Sequence, residues 1–285
     1  MLIDRLGPYL NDRELSRIVA EAGSRYRRVS ASIISPLCLT LERAAIDGNI
    51  PKSHERVPRR ILQFWDHETI PEDVRNCMAT WRTIPNFDHV VFDEATAREF
   101  IRAEYDARHL EAYDLCNHPA MKSDLFRLAY LCRHGGVYID ADDIYEGSNM
   151  DRLFDEDGGL LRLRSASFKR SPSDAPVTIY NNNPIFCPPN DEILRKALER
   201  ATMILLSLGQ KPFYNMLVIT GPLNLSIAVY ATALDCIAGG TDLRFCPILG
   251  WDDLAKKSQD LEYQRTTRNW RAAQNEARNR SDKQR

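Results

Sequence analysis

The sequence has no histidine beyond position 134; its six histidines are His54, His67, His89, His109, His118 and His134. Chemistry carried by the second half must therefore manage without imidazole as acid, base or metal ligand. The seven cysteines, Cys38, Cys77, Cys116, Cys132, Cys187, Cys236 and Cys246, form no CxxC pair. That spacing excludes a paired-cysteine zinc site and fits free thiols in a reducing compartment. No Walker-type loop, GxGxxG fingerprint, GxSxG elbow or HExxH helix occurs, so no glycine cradle is available for phosphate. An excess of one charge is missing too. Lys and Arg number 38 against 40 Asp and Glu, a net charge of -2, which leaves no electrostatic footprint for nucleic acid. Long apolar runs are missing: Ile204-Leu205-Leu206 is short, and 225–234 is interrupted by Ser226 and Thr232. The sequence thus predicts no transmembrane segment. The first thirty residues are charged throughout and do not read as a secretory signal, so the expected location is cytoplasmic.

What is there suits an ordinary globular chain. Across 285 residues, 44% are apolar and 27% charged, enough for a sizeable core. Leu10, Leu15, Ile18 and Val19 recur at helical spacing behind an Asn11-Asp12 cap, and 33–41 adds an apolar patch. Residues 1–50 therefore read as a helical extension. A polar linker follows, then 60–65 (Arg-Ile-Leu-Gln-Phe-Trp) as a first strand and 88–93 as a second. Helices are expected from Pro71-Glu72-Asp73 through Trp81, from Asp93 onward, over 108–115 and over 120–131. Further on, strands are expected at 160–163, 177–180 and 243–248, and helices at 191–208 and 225–234. The polar stretch 165–176 between them, with Pro172 and Pro176, reads as a mobile loop. Alternating strands and helices give an α/β fold with ligands at the carboxyl ends of the strands. The main domain is expected over 51–262.

Three clusters carry candidate chemistry. His134-Gly135-Gly136-Val137-Tyr138-Ile139-Asp140-Ala141-Asp142-Asp143 is a glycine turn, a short strand and then three carboxylates. Closely spaced carboxylates at a strand end can hold a divalent cation through hard oxygen ligands; they can equally form a solvated acidic turn. Asp124 and Arg127 share a helix face, either at the rim of a site or as a surface ion pair. Asn181, Asn182 and Asn183, expected just past a strand, suit a polyhydroxylated ligand, or form an amide-rich turn. From 261 the chain turns basic, with Arg265, Arg268, Arg271, Arg278, Arg280, Lys283 and Arg285. Residues 263–285 read as a basic segment that closes the active site, its last fifteen residues either a frayed helix or disordered tail, or drawn to a nucleotide phosphate or peripherally to the inner face of a membrane.

The ordered blocks Ile61-Leu62-Gln63-Phe64-Trp65, Trp81, Pro85-Asn86-Phe87, Ser123-Asp124-Leu125-Phe126-Arg127 and Gly135-Gly136-Val137-Tyr138-Ile139-Asp140-Ala141-Asp142 resemble the sugar-transferase family containing the DXD motif. That family includes mannosyltransferases and α-1,4-galactosyl- and N-acetylgalactosaminyltransferases, and its site is similar to that of the clostridial glucosylating toxins. The resemblance covers 59–150 and continues weakly through Asn182-Asn183-Pro184 and Thr220-Gly221-Pro222. It implies a GT-A fold, a Rossmann-like mixed central sheet flanked by helices. It also implies a nucleotide-sugar donor (UDP- or GDP-sugar), a manganese or magnesium ion, a glycan or other hydroxyl acceptor, and retention of anomeric configuration. By that resemblance Asp142 ligates the metal, and Asp140 contacts the ribose and donor sugar and assists the metal; these two are the expected catalytic residues. Asp124 and Arg127 hold the hexose, with Ser123 and Tyr138 beside them. Phe64 and Trp65 begin the base-binding segment, Asn182 and Asn183 line the sugar pocket, and Gly136 lets the strand approach closely. Asp143 is expected to stand behind the site or in solvent.

One departure stands out. Relatives often supply a late His or a Ser-Trp pair, whereas Arg268-Asn269-Trp270 is what stands here, so Trp270 and Asn269 are expected to close over the diphosphate. Two other readings fit the motif less well. An aspartyl-nucleophile phosphatase would carry its Asp-x-Asp on the first strand, and a non-catalytic sugar-binding relative would keep the pocket without turnover.

Overall fold

The computed structural model describes residues 1–9, 30–147, 150–155, 159–169, 171, 173–209 and 215–273. The N-terminal helix expected around Leu10 to Val19, and the basic residues Arg278 to Arg285, lie outside them. In chain order the helices and strands are α1 (Leu2–Leu6), α2 (Ala31–Ile46), β1 (Arg60–Phe64), α3 (Glu72–Trp81), β2 (Asp88–Phe92), α4 (Glu94–Glu104), α5 (Ala107–Leu115) and α6 (Pro119–His134). They continue with β3 (Gly136–Tyr138), β4 (Asp143–Tyr145), α7 (Arg152–Asp155), β5 (Leu161–Phe168), β6 (Val177–Cys187), α8 (Glu192–Leu208), α9 (Met216–Ile219), α10 (Pro222–Gly239), β7 (Phe245–Ile248) and β8 (Ala255–Lys257).

Six strands form one sheet in the order β2-β1-β3-β6-β5-β7, and β4 and β8 form a separate antiparallel pair. The first three strands run parallel, β6 runs against β3, and β7 returns parallel to β5. Side chains alternate across the sheet. Leu62, Phe64, Tyr138 and Ile185 face a core built with α2, α6, α8 and α10, while Ile61, Val137, Ile139 and Phe186 pack with Trp81 and Trp251 on the other side. Burial on both faces explains why the strands read as continuous apolar runs. The fold is thus the mixed α/β sheet flanked by helices that the resemblance implies.

Local chemistry sets the edges of the key elements. Helix α6 begins with Pro119 in its first turn and the His118 ring accepting from the Ala120 amide, at 3.0 Å. It ends at Gly135, whose φ of +63° only glycine adopts cheaply, and Gly136 follows at +111°. A Cβ on Gly136 would lie 2.8 Å from the Arg60 carbonyl oxygen, so this glycine lets β3 lie against β1.

Three expectations are corrected. Residues 165–168 are strand rather than loop, because β5 continues to Phe168 against β6, with Ser167 and Thr178 hydroxyls 2.8 Å apart. Asn181, Asn182 and Asn183 lie inside β6, not beyond a strand. Met216–Gly239, which includes the interrupted 225–234 run, is long and apolar enough to cross a membrane by length and composition. Here 72% of its most apolar window is buried, against β6 and α8 among others, so it forms part of the core.

Gln63, fully buried in β1, links the sheet to the acidic cluster. Its amide donates to the Asp140 carbonyl at 3.2 Å, and its Oε1 lies 2.7 Å from His89 Nε2. Burial and then the neighbouring Arg82 push the His89 pKa down to about 4. As pH falls from about 6.5 towards 4, the unfolded chain binds a proton that the folded chain refuses, so stability is lost over that window. In urea unfolding at pH 7 and pH 4, His89→Gln should lose about 1–2 kcal/mol less than the wild type, allowing for screening at a half-buried ring. Equal losses in both proteins would remove this role for His89.

Candidate active site

The carboxyl ends of β1 and β3 open into a cavity of about 510 Å³, a size suited to a small-molecule ligand. Past β1 come Trp65 and Asp66; past β3 come Asp140, Ala141 and Asp142. Because β6 runs antiparallel with Ile185 opposite Tyr138, its earlier residues travel outward beside the loop that follows β3. The Asp140 amide accordingly donates to Asn183 Oδ1 at 3.0 Å. Helix α6 supplies the floor, since Ser123, Asp124 and Arg127 recur at three- and four-residue spacing on the face turned to the cavity.

Arg127 is the centre of that floor and is 4% exposed. Its guanidinium donates to the Asn182 carbonyl at 2.7 Å and to Ser123 Oγ at 2.9 Å. It lies 3.2 Å from the Asp124 carboxylate, 3.3 Å from that of Asp140, and 3.9 Å from the Tyr138 ring centroid. Asp124 is also held by Asn182 Nδ2 at 2.7 Å and the Thr220 hydroxyl at 3.0 Å. Burial raises its pKa to about 6 against the opposing pull of Arg127. The pair is therefore no surface ion pair. Tyr138 completes the group, with its hydroxyl 2.8 Å from Ser123 Oγ and donating to Asp140 Oδ1 at 3.1 Å.

The three clustered carboxylates differ in their surroundings. Asp142, 4% exposed, receives the Tyr263 hydroxyl at 2.6 Å, Lys257 Nζ at 3.1 Å and Gln264 Nε2 at 3.3 Å, all on Oδ2. Asp143 is 3% exposed, not solvated, and its carboxyl accepts from Asn183 Nδ2 at 2.8 Å. Burial, and then repulsion from Asp140 and Asp142, push its pKa up to about 8. The Trp81 indole donates to the Asp143 carbonyl at 2.8 Å and stacks on Trp251, which fixes the position of β4.

The segment from Ser258 to Arg271 lies across the mouth. Tyr263 meets Trp65 edge-on at 5.2 Å between centroids, and the His118 ring is 3.0 Å from the Thr267 carbonyl. The Arg268 guanidinium pairs with Asp66 at 2.9 Å and stands 5.5 Å over the Trp65 ring. Trp65, 7% exposed, has a buried indole nitrogen that finds no acceptor among the described residues.

Of the residues expected at the site, Phe64, Trp65, Ser123, Asp124, Arg127, Tyr138, Asp140, Asp142, Asn182, Asn183 and Trp270 all line the cavity, as does Asn269. Gly136 does not. It sits at the opposite end of β3, where its work is the close approach to β1. The sequence reading missed Lys257, Tyr263, Gln264 and Thr220 as site residues, and took Arg268 for part of a basic tail. The carboxylates they meet lie from 96 to more than 200 positions away, so no local spacing announced them.

The donor set suits a hard divalent cation, since Asp140 and Asp142 both offer carboxylate oxygens to the cavity. Among the described residues no group of three or more His, Cys, Asp or Glu side chains is arranged around one metal position. A cation here would rest on one or two carboxylates plus ligand oxygens, the usual arrangement for magnesium with phosphates.

Residues 71–158 match the family described as glycosyltransferase sugar-binding region containing DXD motif. An uncharacterized glycosyltransferase of Acanthamoeba polyphaga mimivirus is 33% identical over 92 residues, covering 30% of this chain and 36% of the relative. A mannosyl phosphorylinositol ceramide synthase of Saccharomyces cerevisiae is 28% identical over 99 residues, covering 34% of this chain and 26% of the relative. The chain thus spans about a third or less of the length of these curated relatives. Among solved structures, the PaToxG glycosyltransferase aligns at a TM-score of 0.46 with 17% identity, over 86% of this chain and 97% of that one.

Arg127→Met should lower the unfolding free energy by about 3–5 kcal/mol, because Asp124 and Asp140 would lose a buried counter-charge. Urea denaturation at pH 7 measures this. A loss below about 1 kcal/mol would mean that the guanidinium does not anchor the floor.

Proposed function

We propose that this chain is a retaining glycosyltransferase that moves a hexose from a UDP- or GDP-sugar to a glycan or other hydroxyl acceptor. The observation that carries the proposal is the juxtaposition of a buried, fully hydrogen-bonded floor (Asp124, Arg127, Asn182) with the Asp140 and Asp142 carboxylates in one cavity. A floor of fixed polar groups suits the hydroxyls of a hexose, and carboxylates at the rim suit a cation that carries a diphosphate. The viral relative is named as a glycosyltransferase and the yeast relative as a mannosyl phosphorylinositol ceramide synthase, so mannose is the first sugar to try.

A bound manganese or magnesium ion would be held by Asp142 and Asp140 and would neutralise the diphosphate as leaving group. The chain's own residues supply the rest. Arg127, Asp124 and Asn182 orient the sugar, Phe64 and Trp65 line the side that receives the base, and Trp270 and Asn269 lie over the mouth to exclude water. Both Asp124 oxygens are engaged by Asn182, Arg127 and Thr220, which leaves it poorly placed as a nucleophile. We therefore favour front-face displacement. The bond from the anomeric carbon to the diphosphate oxygen breaks, the bond to the acceptor oxygen forms on the same face, and the departing diphosphate takes the acceptor's proton.

A panel of nucleotide sugars with manganese should show hydrolysis of one donor, lost on chelation and in Asp142→Asn. No hydrolysis of any UDP- or GDP-sugar would defeat the transferase reading and leave the non-catalytic one. Trp270→Ala should lower turnover of that donor about tenfold or more by loosening the closed geometry. An unchanged rate would remove Trp270 from the site.

A further inference from the structure

Two consecutive lysines on β8 have opposite fates. Lys256 turns away from the cavity and pairs with Glu146, whereas the half-exposed Lys257 lines the cavity and places its ammonium 3.1 Å from Asp142 Oδ2. The alternation follows from strand geometry, since successive side chains on a strand leave opposite faces. The inward placement is built into the backbone. Lys257 lies opposite Asp143 in the β4–β8 ladder, and the next amide, that of Ser258, donates to the Asp142 carbonyl at 2.8 Å. Lys257 is thus tied beside Asp142 through main chain and side chain together. The oxygen it meets belongs to the carboxylate best placed to hold a divalent ion.

We propose that Lys257 is a tethered cation that competes with the divalent metal for Asp142, so that the metal binds weakly until the donor diphosphate arrives. The inference rests on the metal-dependent reading given above. In the ligand-free site the ammonium neutralises Asp142 and faces the charge of Asp140. A divalent ion entering alone must displace that ammonium and overcome its repulsion. When the ion arrives with a diphosphate, the displaced ammonium meets phosphate oxygens, and the penalty falls. The lysine thereby couples metal binding to donor binding, and Lys257 acts as a positioning residue rather than a catalytic one.

The test is direct manganese binding by paramagnetic resonance titration of the free protein, with no donor present. Lys257→Met should bind manganese about ten- to hundredfold more tightly than the wild type, the range expected for coupling between adjacent sites. Lys257→Arg, which keeps the charge, and Lys256→Met, which alters only the outward lysine, should bind as the wild type does. Added UDP or GDP should tighten manganese binding strongly in the wild type and much less in Lys257→Met. Equal manganese affinity in the wild type and Lys257→Met overturns the competition while leaving the transferase reading intact. No manganese binding in either protein, with nucleotide present, overturns the metal site and the competition together.

Discussion

A guanidinium sealed beneath a polar cavity sets the terms for everything around it. Arg127 cannot shed its charge, and burying it costs more than any one carboxylate returns. The fold meets that cost from three directions: Asp124 on the same helix, Asp140 from the strand end, and the Asn182 carbonyl from β6. Each partner is thereby fixed. The antiparallel placement of β6 beside β3 serves the same end, because with Ile185 opposite Tyr138 the residues that precede it, Asn182 and Asn183, lie beside the loop that holds Asp140.

Strong periodicity made much of this legible in advance. The strands at 60–64 and 88–92 announce themselves as short apolar runs, and the helices at 72–81, 94–104 and 119–134 through apolar residues at helical spacing. The Asp-Ala-Asp cluster and the Asp124-Arg127 pair stood out as local patterns of few residues. The polar end of β5 did not, because Ser165 and Ser167 carry no apolar signal and become strand through pairing with β6 and cover by α2. Nor did β8, three residues of Ala-Lys-Lys whose pairing partner lies over a hundred positions earlier. Gly136 was placed in the site because it adjoins the motif, yet a strand has two ends and the ligand needs only one. Tyr263 and Gln264 escaped notice for a different reason: a hydroxyl and an amide acquire meaning only beside Asp142.

The charge distribution of the cavity is also instructive. Four carboxylates, Asp124, Asp140, Asp142 and Asp143, converge from two elements, with Arg127 and Lys257 as the cations set directly against them. At Asp143 burial, and then repulsion from Asp140 and Asp142, raise the pKa, so that this carboxyl tends to hold its proton rather than add to the excess. A site of this kind is prepared for positive charge to enter from outside.

The β4–β8 ladder has a consequence for how the chain can vary. The segment matched by the family, 71–158, contains β4 but not β8, nor any of the groups that grip Asp142. The motif-bearing half therefore behaves as a socket whose clasp is written elsewhere. Two proteins sharing the socket can carry different clasps, exchanging a lysine for another group without touching a single motif residue. Diversity in how such sites take up metal and donor can then arise from a three-residue strand near the end of the chain.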